Sequence, residues 1–152
     1  DAVGGGAGMV AALDVVVAAE KAHFSFSEAR LGMAPSVISP YLMYRIGPQR
    51  CRRLFLTGER INAEEACQMG LVDVVVKEEE LDERVQRVVS DMMASSLEAL
   101  RKCKEIAQTI PYMEVEAITP YTTKCIAELR LSDEAQKRMA GFLKKMMDKK
   151  KP

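Results

Sequence analysis

The chain has 152 residues, 48% of them hydrophobic and 29% charged, which is enough for one real core and too apolar for a disordered segment. Lys plus Arg number 22 and Asp plus Glu number 22, so no net field draws the chain to nucleic acid or to an anionic membrane. The apolar stretches fall far short of a membrane span, no signal-peptide pattern is present, and Asp1 reads as a cut end rather than a natural start.

In chain order, Gly4-Gly5-Gly6 runs into the helix-like stretch Ala7 to Leu13. Asp14 to Ala19 is a β-branched run that reads as a buried strand, and His23 to Ser27 alternates as a short strand or a loop leading to Glu28. Ser39 is expected to cap a helix from Pro40 to Ile46 that closes at Gly47; Pro48 starts the next, which ends at Gly58. Asn62 and Glu65 form a capping pattern for a helix that stops at Gly70, and Leu71 to Val76 is the next strand. From Lys77 onward the apolar residues repeat at helical spacing in successive stripes. Pro111 ends one helix, Pro120 predicts a kink or break in the next, and Ser132 caps the last. The tail Lys149-Lys150-Lys151-Pro152 is expected to fray. The whole reads as an α/β core over residues 1–76 with an appended helical region over 77–152.

The glycine turn is the strongest chemical feature. A glycine bend that opens a helix offers free backbone N–H groups, and the helix dipole adds partial positive charge there. Such a place holds an anion, either a phosphate or the oxyanion of a reacting thioester. A dinucleotide fingerprint would need a third glycine where Met9 stands. His23 is the sole histidine, which removes the usual nucleophile–histidine arrangements and favours a satisfied structural imidazole. Metal sites lack a cluster of ligands. Cys51, Cys67, Cys103 and Cys125 show no paired spacing and read as buried, reduced thiols of a cytosolic protein. The ten methionines fall mostly on the apolar stripes and read as core packing or a helix–helix interface rather than a ligand-binding surface. The basic run Pro48 to Arg53 reads as a solvent-facing helix or a subunit boundary rather than a nucleic-acid site. That leaves Glu28, flanked by Phe24, Phe26, Leu31 and Met33. Apolar surroundings disfavour the charged carboxylate and suit acid/base work near neutral pH; a surface Glu28–Arg30 pair is the other reading, and composition leaves both open.

Three segments carry a family resemblance: Gly4-Gly5-Gly6-x-Gly8-x-x-x-Ala12-x-Asp14, then Ala19-Glu20-Lys21-Ala22-x-Phe24, then Ser27-Glu28-x-Arg30-Leu31-Gly32. With Leu56-Thr57-Gly58-Glu59-Arg60-Ile61-x-Ala63-x-Glu65-Ala66 and Met69-Gly70-Leu71-Val72, the chain resembles the crotonase (enoyl-CoA hydratase/isomerase) superfamily over nearly its whole length. The run Pro35-Ser36-Val37-Ile38-Ser39-Pro40-Tyr41 resembles the branch that includes methylglutaconyl-CoA and isohexenylglutaconyl-CoA hydratases.

The resemblance implies a crotonase-like ββα spiral core whose N-terminal half this chain lacks, followed by a helical trimerisation region. It implies an acyl-CoA thioester substrate with no further cofactor and no metal. Gly5 matches the backbone oxyanion donor, and a second donor belongs to an earlier loop that the chain does not contain. Glu28 matches the second of the family's two glutamates, and the first falls at Gly8. That departure leaves two reactions: hydration of a 2-enoyl thioester by Glu28 alone, which the branch favours, or 3-enoyl to 2-enoyl isomerisation. A non-catalytic subunit or fragment is the rival outside the enzymes. Gly4, Gly6 and Gly8 would border the substrate, and Lys145, in a segment like the family's closing Phe-x-x-Lys, would meet a CoA phosphate or simply be solvated. The expected assembly is a trimer or dimer of trimers in the cytoplasm, acting in fatty-acid or branched-chain catabolism, with a separate polypeptide as one source of the N-terminal half.

Overall fold

The computed structural model describes residues 1–148, so the tail expected to fray lies outside the described residues. The chain divides into two compact units, Asp1–Arg87 and a second that begins at Val88.

The first unit is built from short strands between helices. β1 (Ala2–Val3) leads through Gly4 into α1 (Gly5–Ala12). β1 pairs in parallel with β3 (His23–Ser25), in the register Ala2 to Phe24 and Val3 to Ser25. β3 pairs antiparallel with β4 (Arg60–Asn62), which gives a three-stranded sheet in the order β1-β3-β4. β2 (Val17–Ala19) and β5 (Val74–Val76) form a separate parallel pair. Both are shorter than the sequence predicts, because neighbouring residues spend their backbone groups elsewhere. Val16 N–H donates to Asp73 Oδ2 at 2.7 Å, while Leu71 and Val72 donate to the Ala66 carbonyl at a helix end.

α2 (Ser39–Thr57) is broken at Gly47, whose φ of 80° and ψ of 161° are not helical, so the two expected segments are present. Ser39 does not cap the first of them. Ile38 holds that position, and the Ser39 hydroxyl donates instead to the Ser36 carbonyl at 3.0 Å. α3 (Ala63–Met69) opens with the expected reciprocal cap: Asn62 Oδ1 accepts from Glu65 N–H at 2.8 Å, and Glu65 Oε2 accepts from Asn62 N–H at 2.9 Å. It ends at Gly70. Phe26, Leu42, Leu54, Ile61 and Leu71 are fully buried, with Ala7 beneath them on α1. Phe26 meets Phe55 edge-on, ring centroids 6.0 Å apart.

Arg45 of α2 ties these pieces together. Its Nε donates to the Leu71 carbonyl at 2.9 Å, Nη1 to the Leu13 carbonyl and Nη2 to Asp73 Oδ2 at 2.7 Å. The guanidinium side chain is only 13% exposed, and its planar fork is committed to three acceptors on two segments, Leu13 and Leu71–Asp73.

The unit boundary falls within α4 (Leu81–Met93). The second unit continues with α5 (Leu97–Thr109), α6 (Val115–Leu131) and α7 (Asp133–Asp148). α6 runs through Pro120 without the expected break, since the proline lies near its start and costs a single backbone bond. Ser132 caps α7 as read from the sequence, its hydroxyl oxygen accepting from Ala135 N–H at 3.2 Å. Polar links hold the helices: Tyr121 donates to Glu105 Oε1, Ser96 donates to Glu134 Oε2, and Arg138 reaches the Ala94 carbonyl.

Of the methionines, Met69 packs against the core of the first unit, while Met9, Met33, Met93 and Met147 are exposed, so the core-packing half of that reading does not extend to them. The cysteine reading holds for Cys51 and Cys125, which are buried; Cys67 is half-buried and Cys103 exposed, all four as free thiols. Burial pushes the Cys51 thiol up from its ordinary value. No described helix is long and apolar enough to cross a membrane.

Two outcomes test this framework. Arg45→Met should cost about 2 kcal/mol in denaturant unfolding, since it removes the Arg45 donors from the Leu71 and Leu13 carbonyls and leaves Asp73 Oδ2 with Val16 N–H alone; a loss under about 0.5 kcal/mol would show the fork to be idle. In the second unit, hydrogen bonds from Ser96 and Arg138 hold the Glu134 carboxyl below its ordinary value, and bonds from Lys102 and Tyr121 do the same for Glu105. A depressed folded-state pKa gives stability that is present above the unfolded value of 4.5 and lost as pH falls through the folded one. Helical circular dichroism melts should therefore drop on acidification through that range, and Glu134→Gln should flatten the drop.

Candidate active site

Gly4 stands between β1 and α1 with φ 52° and ψ −119°, a conformation that side-chain-bearing residues rarely adopt. Its N–H donates to the Ser25 carbonyl at 2.9 Å, and its own carbonyl accepts from Gly8 N–H at 3.0 Å. The bend is thus pinned to β3 on one side and to the helix on the other. Gly5 and Gly6 follow in the first turn of α1, exposed, with N–H groups that have no intrahelical acceptor.

Glu28 lies against this bend. It opens the 3-10 turn Glu28–Leu31, two residues beyond the fully buried Phe26. Its Oε1 lies 3.2 Å, and its Cδ 3.7 Å, from where a Cβ on Gly4 would stand. Its Oε2 is buried without a hydrogen-bond partner. The structure thus brings together Glu28 and the triple glycine, 24 residues apart in sequence. The surroundings differ from the expected ones: Phe24 and Phe26 are buried beside the turn, whereas Leu31 and Met33 point to solvent. The Glu28–Arg30 pair is absent among the described ion pairs, and Arg30 donates to the Thr57 carbonyl at 3.2 Å instead.

Gly8 is buried one turn further along α1, about 6 Å from Gly4. A Cβ there would meet Ile38 Cγ2 and the Ile38 Cβ at 2.5 Å, so the isoleucine fills the space a side chain at position 8 would need. Sequence reasoning missed this contact; the sole hint was glycine in a helical stretch, where it costs stability unless packing requires it. Lys145 lies on α7 in the second unit, exposed to solvent. His23 is not the satisfied imidazole expected. Its Nδ1 has no hydrogen bond and faces Asp1 Oδ1 at 3.6 Å. It lines a cavity of about 350 Å³ with Ser27, Arg30, Gly58 and Arg60. Arg50, Arg52 and Arg53 face solvent, as read from the sequence. Among the described residues, no group of three or more His, Cys, Asp or Glu could hold a metal ion.

Residues 1–150 match the family model for enoyl-CoA hydratase/isomerase. A (7aS)-7a-methyl-1,5-dioxo-2,3,5,6,7,7a-hexahydro-1H-indene-carboxyl-CoA hydrolase of Mycobacterium tuberculosis is 33% identical over 144 residues, 94% of this chain and 57% of its own length. Carnitinyl-CoA dehydratase of Escherichia coli is 33% identical over 121 residues, 79% of this chain and 46% of its own. The crystal structure of an enoyl-CoA hydratase from Shewanella pealeana superposes with a TM-score of 0.87 at 29% identity, covering 95% of this chain and 54% of that one. The chain thus spans about half the length of the relatives it matches, and its fold is the crotonase-like one, mixed α/β and mostly helical.

The Gly8–Ile38 contact predicts strong coupling. Gly8→Ala should destabilise the first unit by about 1–3 kcal/mol through overpacking. Adding Ile38→Ala should recover much of that loss, so that the two changes are far from additive in a double-mutant cycle. Additive losses in thermal unfolding would show that the two residues do not share this space.

Proposed function

Because the chain belongs to the enoyl-CoA hydratase/isomerase family, we propose that it hydrates a 2-enoyl-CoA thioester, with Glu28 as the sole acid/base. The observation that carries this reading is the Glu28 carboxyl packed on Gly4, beside the exposed amides of Gly5 and Gly6. The thioester oxygen accepts from Gly5 N–H and from a second donor on another segment. The Glu28 carboxylate takes a proton from water as the water oxygen bonds to C3 and charge moves onto the thioester oxygen. It then returns that proton to C2 on the same face. An oxyanion donor of this kind contributes about two to three powers of ten in rate. Gly4 and Gly6 leave the backbone open to the thioester, and Gly8 seats Ile38 as an apolar neighbour for the acyl chain. No metal and no cofactor beyond the CoA of the substrate enters this reaction.

One observation favours a second reading. Ile38 fills the space beside Gly8, so no other acid stands on that part of α1. A single carboxylate suffices to carry a proton from C2 to C4, which is 3-enoyl to 2-enoyl isomerisation. The Pro35–Tyr41 run supports the hydratase side, toward branched-chain or fatty-acyl substrates.

For the second unit we propose assembly into a trimer or a dimer of trimers. α5 and α7 bury no residue, and Phe142 and Met147 are 62% and 70% exposed, which is what helices awaiting a neighbouring surface look like. In that assembly Lys145 would meet a CoA phosphate. The free thiols support a cytoplasmic setting. A separate polypeptide supplying the remaining half of the fold is compatible with this scheme.

Crotonyl-CoA and a 3-enoyl-CoA, incubated separately and followed by absorbance, distinguish the readings. Loss of the conjugated band with the first is the expected result; gain with the second indicates isomerisation, and silence in both points to a non-catalytic subunit. Glu28→Gln should cut turnover by at least about 100-fold and leave acyl-CoA binding nearly unchanged. Retained turnover would move the acid/base role to another residue.

A further inference from the structure

The turn that carries Glu28 has little to hold it. None of its residues, Glu28 to Leu31, is buried. Its internal bonds are short-range: Arg30 N–H to the Ser27 carbonyl, Gly32 N–H to Ala29 and Met33 N–H to Glu28. Bonds of this kind close a turn but do not fix it against the rest of the molecule. A carboxyl group that must hold its place over Gly4 needs an anchor elsewhere.

Arg30 supplies one. Its Nη2 donates to the Thr57 carbonyl at 3.2 Å, across 27 residues of sequence. Its Nε lies 2.9 Å, and its Cδ 3.5 Å, from where a Cβ on residue 58 would stand, so the side chain lies flat over Gly58. Gly58 is buried and has φ +56°, so the backbone there both turns and leaves a slot that any other residue would fill. Thr57 is the last residue of α2, where orphan carbonyls carry the negative end of the helix dipole and welcome a guanidinium. The same end of α2 is fixed in the core by Leu54 and Cys51, both fully buried.

We propose that Arg30 is a positioning residue for Glu28: it clamps the 3-10 turn to the C-terminal end of α2 and so lends the rigidity of the core to the carboxyl group over Gly4. The inference rests on the acid/base reading of Glu28. Arg30 itself touches neither the reacting atoms nor the Glu28 carboxyl.

Arg30→Ala and Arg30→Lys, made in the full chain, test it with two independent readouts. Amide hydrogen exchange over residues 28–33 should quicken at least about tenfold in Arg30→Ala while the other segments keep their rates. In the enoyl-CoA assay, kcat should fall about tenfold at unchanged KM and unchanged Tm, since a misplaced group loses rate rather than binding. Arg30→Lys, which keeps one donor, should restore part of both. Unchanged exchange over 28–33 would overturn the clamp. Loosened exchange with unchanged kcat, or a change confined to KM, would overturn the link to Glu28. If Glu28→Gln retains full turnover, or the parent chain has none, the acid/base reading falls and the catalytic part of this inference falls with it. The exchange experiment then still decides whether Arg30 holds the turn.

Discussion

The candidate site depends on one close approach, that of the Glu28 carboxyl to the backbone of Gly4. A side chain at position 4 meets two separate obstacles: Glu28 Oε1 lies 3.2 Å from the Cβ position, a tight contact, and the positive φ strains any L residue. The approach is set by strand register. β1 and β3 share a two-residue parallel pairing, with Val3 opposite Ser25, and the Ser25 carbonyl takes the Gly4 N–H. From Ser25 the chain needs only Phe26 and Ser27 to reach Glu28, and Phe26 is locked in the core. A slip of one residue would turn Phe26 outward and carry the acid away from the bend. The Gly4 amide is thereby consumed, while Gly5 and Gly6 stay exposed in the first turn of α1.

The sequence made legible those features that rest on local chemistry. The Asn62–Glu65 cap, the helix end at Gly70, the break at Gly47 and the Ser132 cap depend on a few neighbouring residues, and each is found where it was expected. The meeting of Glu28 with the glycine turn is a long-range contact, and it was reached through family resemblance because no spacing rule joins positions 4 and 28. Long-range competition explains the misses. Ser39 is a good capping residue, yet the Ser36 carbonyl claims its hydroxyl. The β-branched run from Asp14 is only half strand, because Asp73 takes the Val16 amide. His23 Nδ1 faces Asp1 Oδ1 at 3.6 Å, outside hydrogen-bond reach, a long-range placement that composition does not decide. The Gly8–Ile38 contact and the Arg30 clamp join residues 27 to 30 apart, beyond the reach of any periodicity.

The two units hold together by different means. The first has a dense apolar core spanning α1, α2, α3 and the strands, with Arg45 lacing its surface loops. In the second, Cys125 alone is buried among the described residues, and the links on view are polar: Tyr121 to Glu105, Ser96 to Glu134, Arg138 to Ala94. Exposed bonds of that type contribute about 1 kcal/mol or less each, which is small against the entropy of ordering four helices. Amphipathic stripes therefore guaranteed helices but not a core. A stripe shows that a face seeks apolar company without showing where that company comes from, and exposed Met93 and Met147 illustrate the point.

The chemistry of the site follows from what is left unsatisfied in it. A buried acceptor without a donor costs about 1–3 kcal/mol, and folded proteins avoid such groups unless something else requires them. Glu28 Oε2 is in that state while its sister oxygen packs on Gly4. The fold has the means to relieve it, since Arg30 is two residues away, yet the guanidinium is drawn off to Thr57. Pairing Arg30 with Glu28 would neutralise the carboxylate and commit its lone pairs. With Arg30 drawn to the end of α2, Glu28 Oε2 keeps no hydrogen-bond partner, which is the state the proposed acid/base role requires. The bend at Gly4, the slot at Gly58 and the unpaired oxygen thus meet in one arrangement: a carboxyl packed on backbone at one oxygen and unpartnered at the other.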